Sequence, residues 1–166
     1  LLSSTLAVAR DSRLMLPIFE AMNSRGSERL NEYEIQFFFG EQPHPPIIES
    51  FGTFVSNKKT NAFARKDKTA CEWAFLSAML SFQKRALTKG GDAVINIHSY
   101  YKKEDVSSEH EYMCGAGAIV AGVTFRGEVV KLRLGSTKGS SSASANSQAV
   151  LSEDYPVDAK LKMIKQ

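Results

Sequence analysis

No apolar run in this 166-residue chain reaches the roughly 18 residues that a membrane-spanning helix requires. The G-x-x-x-x-G-K-[ST] loop that cradles nucleotide phosphates is missing, and so is the G-x-S-x-G elbow of serine hydrolases. There is no C-x-x-C pair of the kind redox enzymes use, because the chain has two cysteines and they stand far apart, at Cys71 and Cys114. Charge is weakly unbalanced, at +3, whereas a dedicated nucleic-acid binder concentrates lysine and arginine far more strongly. No internal repeat recurs at solenoid periods. These absences argue against an integral membrane helix, an ATPase, a dithiol oxidoreductase and a nucleic-acid partner.

Residues 1–9 are small or apolar and uncharged, and they end in Ala7-Val8-Ala9 before Arg10 and Asp11. That small-x-small ending has the form of a signal-peptidase site, so residues 1–9 are expected to be the remnant of an export signal. No cysteine lies near it to carry a lipid, and no lipid anchor is expected. Residues 135–150 are rich in Ser, Gly, Ala and Asn and read as a flexible linker. Val157, Leu161 and Ile164 stand at helical spacing, so 151–166 reads as a short helical segment. A single domain over 10–134 remains, with a hydrophobic fraction of 43% that suits a packed core.

Within that domain the strongest signal is a helix over Thr69–Lys89. Cys71, Phe75, Met79, Phe82 and Ala86 make one apolar stripe, while Trp73, Leu76, Leu80 and Leu87 make a second, so the helix must be covered on more than one side. Thr69 and Glu72 have capping-box spacing, and Gly90-Gly91 supplies the stop. A short helix is expected over Leu14–Met22, strands over Tyr33–Phe39, Phe51–Asn57 and Ala93–Tyr101, and irregular chain over Gln42–Pro46, where three prolines remove donors. In the strand Ala93–Tyr101, Val94 shares a face with Asn96, His98 and Tyr100 if the alternation is regular. Lys102–Ser108 reads as a charged loop, His110–Phe125 as one long strand, and Arg126-Gly127-Glu128 as a turn into a last strand, Val129–Leu134. The fold class expected is α+β: one long helix packed on an antiparallel sheet.

Four blocks carry a resemblance: Val55-Ser56-Asn57-Lys58-Lys59-Thr60-Asn61-Ala62-Phe63, the helix start Ala70-Cys71-Glu72-Trp73, the run from Gly91 to Lys103 that includes Asn96-Ile97-His98-Ser99-Tyr100-Tyr101, and Cys114 to Val123. Together they resemble a family of small exported proteins of Gram-negative bacteria, often labelled an excinuclease ATPase subunit. The missing phosphate loop denies that label. The same blocks look like the cysteine-bridged domain of the Rcs envelope-stress sensor lipoprotein, and like a small cytoplasmic family that carries a heavy-metal-binding label. In the stress sensor a cysteine at the helix start is bridged to one on a strand, and Cys71 and Cys114 hold matching places. The sensor's lipid-bearing cysteine and second disulfide have no counterpart here. The resemblance implies a periplasmic α+β domain pinned by a Cys71–Cys114 disulfide, which an exported chain with an even cysteine count also favours. The competing reading of Cys71 is a reactive thiol favoured by the helix N-terminus.

Two further constellations are candidates. His98, His110 and Cys114, with Glu109 or Glu111, are a mixed metal-ligand set that would meet if the strands Ala93–Tyr101 and His110–Ala118 formed a hairpin; a bridged Cys114 could not ligate. Tyr100, Tyr101, Lys102 and Lys103 form an aromatic-basic patch of a kind that binds glycans, anionic surfaces or nucleic-acid single strands, and Asn57–Asn61 could join it. No catalytic residue and no cofactor is assigned. The leading functional expectation is a non-enzymatic periplasmic protein that binds another envelope protein or component, or senses envelope state. The alternatives are a metal- or small-ligand-binding module and a thiol-dependent enzyme.

Overall fold

The computed structural model describes residues 11–133. The expected signal remnant over 1–9, linker over 135–150 and helical segment over 151–166 lie outside the described residues. The elements run β1 (Asp11–Pro17), α1 (Ile18–Met22), a 3-10 turn (Ser27–Asn31), β2 (Gln36–Phe39), β3 (Ile47–Asn61), α2 (Asp67–Lys89), β4 (Ala93–Tyr101), β5 (Glu104–Val106), β6 (Glu111–Gly117) and β7 (Val120–Leu132).

The fold is α+β, with α2 lying on a seven-stranded sheet. The sheet is mixed rather than antiparallel, because β2 pairs with β4 in parallel, Gln36 opposite Ala93. β7 is its axis. β3 pairs along one edge of β7 from Val120 to Leu132, so β4 and β6 must share the other edge. β4 takes residues 125–130 and β6 takes Ala121 and Gly122. β1 then closes on the outer edge of β6, with Leu14 opposite Cys114.

The structure departs from five of the sequence expectations. Residues 14–17 belong to a strand, and the helix keeps only Ile18–Met22. Along β1, Met15 is exposed while Leu14 and Leu16 pack on the core, which is a period of two. The run His110–Phe125 is two strands joined through Ala118-Ile119, and Arg126-Gly127-Glu128 is no turn but the middle of β7. The Lys102–Ser108 loop contains β5, paired with the end of β4. Finally, α2 starts at Asp67 with Lys66 in the cap position and no side-chain cap. Thr69 therefore sits inside the first turn, and Thr69 with Glu72 makes no capping box. Asp67 places its carboxylate at the positive end of the helix dipole instead. At the other end Gly90, at φ +80°, closes the helix as expected: its N–H and that of Gly91 reach back to the carbonyls of the last turn.

The core lies between α2 and one face of the sheet. Phe75 meets Tyr112 at 4.6 Å, Phe125 at 5.4 Å and Phe39 at 6.0 Å between ring centroids. The Cys71–Cys114 disulfide ties α2 to β6, with Cα atoms 5.9 Å apart and neither residue exposed. The second stripe of α2 is covered only in part: the segment after α1 packs on its Trp73 and Leu76 end, whereas Leu87 is 42% exposed, against the expectation. Trp73 packs over Gly26, where a Cβ would meet the indole at 3.0 Å, and the buried Gln83 donates to the Leu30 carbonyl at 2.8 Å. A smaller cluster of Phe38, Ala93, Ile95, Val130 and Leu132 occupies the opposite face. The irregular Pro43–Pro46 stretch folds beside it, with His44 edge-on to Phe38 and the Pro46 carbonyl accepting from the Arg133 N–H.

β4 serves both clusters, and a bulge decides which of its residues face each one. Ile95 stands opposite Glu128 and His98 opposite Arg126, so β4 spends two residues, Asn96 and Ile97, where β7 spends only Gly127. Asn96 takes φ +48° at this bulge. Val94 and Ile97 consequently share the α2 face, and Asn96 does not follow the alternation expected for a regular strand.

Candidate functional site

The sheet face turned away from α2 carries a linked set of polar side chains where β4, β5 and β7 meet. His98 and Arg126 are direct cross-strand neighbours. Arg126 Nη1 lies 3.2 Å from both carboxylate oxygens of Asp105, which β5 brings alongside. His98 Nε2 lies 2.8 Å from Asp105 Oδ1, and His98 Nδ1 lies 2.8 Å from the Asn96 carbonyl that the bulge turns toward it. Both ring nitrogens thus face oxygen acceptors. A neutral imidazole can donate one of these bonds, whereas the imidazolium donates both. The Arg126 guanidinium stands 3.7 Å from the Tyr100 ring centroid, in the stacking geometry that arginine favours.

Tyr101 is held differently. Its ring lies over Gly115 of β6, where a Cβ would meet the phenol oxygen at 2.0 Å, so only glycine admits it. Arg13 of β1 stands 5.9 Å from the same ring and forms an ion pair with Glu104. Lys102 and Lys103 form the turn between β4 and β5, at φ +52° and +66°. Two consecutive left-handed residues are what a primed hairpin turn requires, and Asn-Gly is the usual choice. Lysines there cost about 1 kcal/mol or more each in backbone strain. The hairpin therefore presents two exposed cations and two half-buried aromatic rings in a fixed arrangement.

The sequence candidates separate in space. Tyr100, Tyr101, Lys102 and Lys103 form one surface, as their adjacency dictates. Asn57–Asn61 pair with the other edge of β7, opposite Thr124–Val120, and no strand pairing joins them to that surface. β4 and β6 form no hairpin with each other; β5 follows β4, and both β4 and β6 pair with β7. His110 precedes β6, and its backbone N–H donates to Ser108 Oγ, while His98 is engaged by Asp105. Cys114 is bridged and cannot ligate. Among the described residues no three His, Cys, Asp or Glu side chains are grouped to hold a metal ion.

No family model, curated protein or solved structure matches this chain.

Asp105 and Arg126 were absent from the candidates that the sequence suggested. The first sat in a run read as a loop and the second in a run read as a turn, so neither could be aligned with His98. Tyr112 is a further residue without a sequence signal. It is 1% exposed in the core beside Phe75, and its hydroxyl has no hydrogen-bond partner. Burial pushes its ionisation well above the usual phenol range, and the nearby Glu72 and Glu20 carboxylates push it the same way. Tyr112→Phe is expected to hold or raise stability, by up to about 1 kcal/mol, because it removes a buried unpaired hydroxyl. Because the phenol keeps its proton in the folded state beyond the point where the unfolded chain loses it, stability should fall as pH rises above about 10. Denaturant midpoints of the two proteins at neutral and alkaline pH check this. The alkaline fall should be smaller in Tyr112→Phe.

Proposed function

We propose that the protein is a non-enzymatic binding protein of the Gram-negative envelope, exported to the periplasm, and that it engages another envelope protein or component through the β4–β5 hairpin. The observation that carries this reading is the hairpin's construction. Tyr100 is stacked on Arg126, which Asp105 orients, and Tyr101 is seated on a glycine. Tyrosine and arginine are the side chains that dominate protein interfaces, and holding them in place beforehand lowers the ordering cost of binding. The strained Lys102-Lys103 turn supports it, since strain is concentrated at working surfaces. Disulfides persist in oxidising compartments, so the buried Cys71–Cys114 bridge supports a periplasmic site. With both sulfurs bridged and buried, a structural role for the cysteines is favoured over a reactive thiol.

Site-specific photocrosslinking in the periplasm tests the proposal. A crosslinker at Lys103 should give a discrete adduct that one at the helix-surface residue Leu87 does not. Adding Tyr100→Ala and Arg126→Ala should abolish the adduct, and because both side chains are half-buried, urea denaturation of the double variant checks that it still unfolds cooperatively. An adduct that survives both substitutions, or equal labelling from both positions, would overturn the hairpin as the binding surface.

A further inference from the structure

At the end of the sheet where β3 leaves and β7 begins, Phe63, Ile119 and Val120 are 70%, 65% and 45% exposed. They are neighbours through the backbone. The Ala62 N–H donates to the Ile119 carbonyl at 2.7 Å, and Asn61 stands opposite Val120. Phe63 is fixed by an Asx turn in which its N–H donates to Asn61 Oδ1 at 2.8 Å, and Ala64 follows at φ +57°. Ile119 lies in the short link between β6 and β7, where hairpin chemistry calls for polar residues or glycine. A local rule broken without a structural gain marks a position kept for function.

The surroundings of this apolar tip are cationic. Residues 57–69 hold Lys58, Lys59, Arg65, Lys66 and Lys68 against a single carboxylate, Asp67. Lys68 is engaged with Glu20 and Glu72, which leaves the other four on the β3 end and the loop that follows it. The link 118–121 carries no charge at all. The acidic neighbours are Asp67 and Asp11, the latter opposite Gly117 at the same end of β6. A bulky apolar tip beside an excess of cations matches the interfacial layer of an anionic bilayer, where rings and aliphatic chains enter below the headgroups and cations stay among the phosphates. We propose that this tip docks the domain peripherally on an anionic phospholipid surface. The proposal stands apart from the hairpin reading, which involves other residues.

Cosedimentation of the full chain with phosphatidylglycerol-containing and pure phosphatidylcholine vesicles tests it. Binding is expected to the first alone, and to fall at least tenfold between about 0.1 M and about 1 M salt, as the screening length shrinks. Phe63→Ser with Ile119→Ser should abolish binding, and each of Lys58→Gln and Lys59→Gln should weaken it about fivefold. Both apolar positions are exposed, so the fold is not at risk. Phe63→Trp adds a direct readout, since its emission should shift to the blue with anionic vesicles while Trp73 in the parent does not respond. Equal binding to both lipids, binding unchanged by the serine substitutions, or no blue shift would overturn the proposal.

Discussion

Phe75→Ala is expected to destabilise the domain by about 3–5 kcal/mol, the range for deleting a fully buried phenylalanine ring. Phe75 has no exposed surface, and its ring touches aromatic residues from three strands: Phe39 of β2, Tyr112 of β6 and Phe125 of β7. Deleting it removes the burial of its own surface and leaves a void between α2 and the sheet, whose spacing the disulfide and the strand pairing keep from adjusting freely. Each lost ring pair adds about 0.5–1.5 kcal/mol beyond area alone. Urea denaturation measures the loss, with Leu87→Ala as a control on the exposed face of the same helix, expected within about 0.5 kcal/mol of the parent. Trp73→Ala should cost less than Phe75→Ala, because the indole is half-buried, under the Gly26 segment, whereas Phe75 is fully buried. A loss below 1 kcal/mol for Phe75→Ala would mean that α2 is peripheral.

Removing the disulfide should have an effect of similar size. Cys71 and Cys114 are 43 residues apart in sequence, and closing a loop of that length in the unfolded chain is worth roughly 4 kcal/mol in the chain-entropy account. The double variant Cys71→Ala, Cys114→Ala should lose about 2–5 kcal/mol. Because both sulfurs are buried, reductant should open the bridge slowly in the native protein and quickly in denaturant. Thiol titration over time, with and without urea, reads this directly. Rapid reduction under native conditions would show that the bridge is reached through an open form of the α2–β6 contact.

Much of the architecture was legible without coordinates. Apolar residues at three- and four-residue spacing marked α2, and Gly90 marked its end. The bounds of β4 were readable because Asp92 and the Lys102-Lys103 pair frame a run of β-favouring residues. The disulfide had one possible pairing among two cysteines. Legibility ended wherever a local signal was outvoted. Leu14 to Met22 has the apolar density of a helix, but Leu14 and Leu16 gain cover as a strand beside β6. Ala118-Ile119 has no turn chemistry, so nothing in the residues announced the link between β6 and β7. Arg126-Gly127-Glu128 has turn chemistry, yet it continues a strand. Gly127 is there for space, since a Cβ would come within 3.0–3.3 Å of Val94, Ile97 and Phe82.

The candidate surface divides in the same way. Tyr100, Tyr101, Lys102 and Lys103 were visible because they are consecutive. Their partners were not, because Arg126, Asp105, Arg13 and Gly115 come from other strands, and strand order is a property of long-range pairing. By itself, then, the sequence determined local matters: where the long helix lies, which residues line it, and which two sulfurs can join. Tertiary structure alone decided that β2 runs parallel to β4, that β7 is the axis, and that a one-residue bulge at Asn96 sends Val94 and Ile97 into one core while His98 faces Arg126. Periodicity reports how a segment meets its nearest neighbours, whereas register and strand order depend on the backbone bonds and packing of residues remote in the chain, which no local pattern encodes.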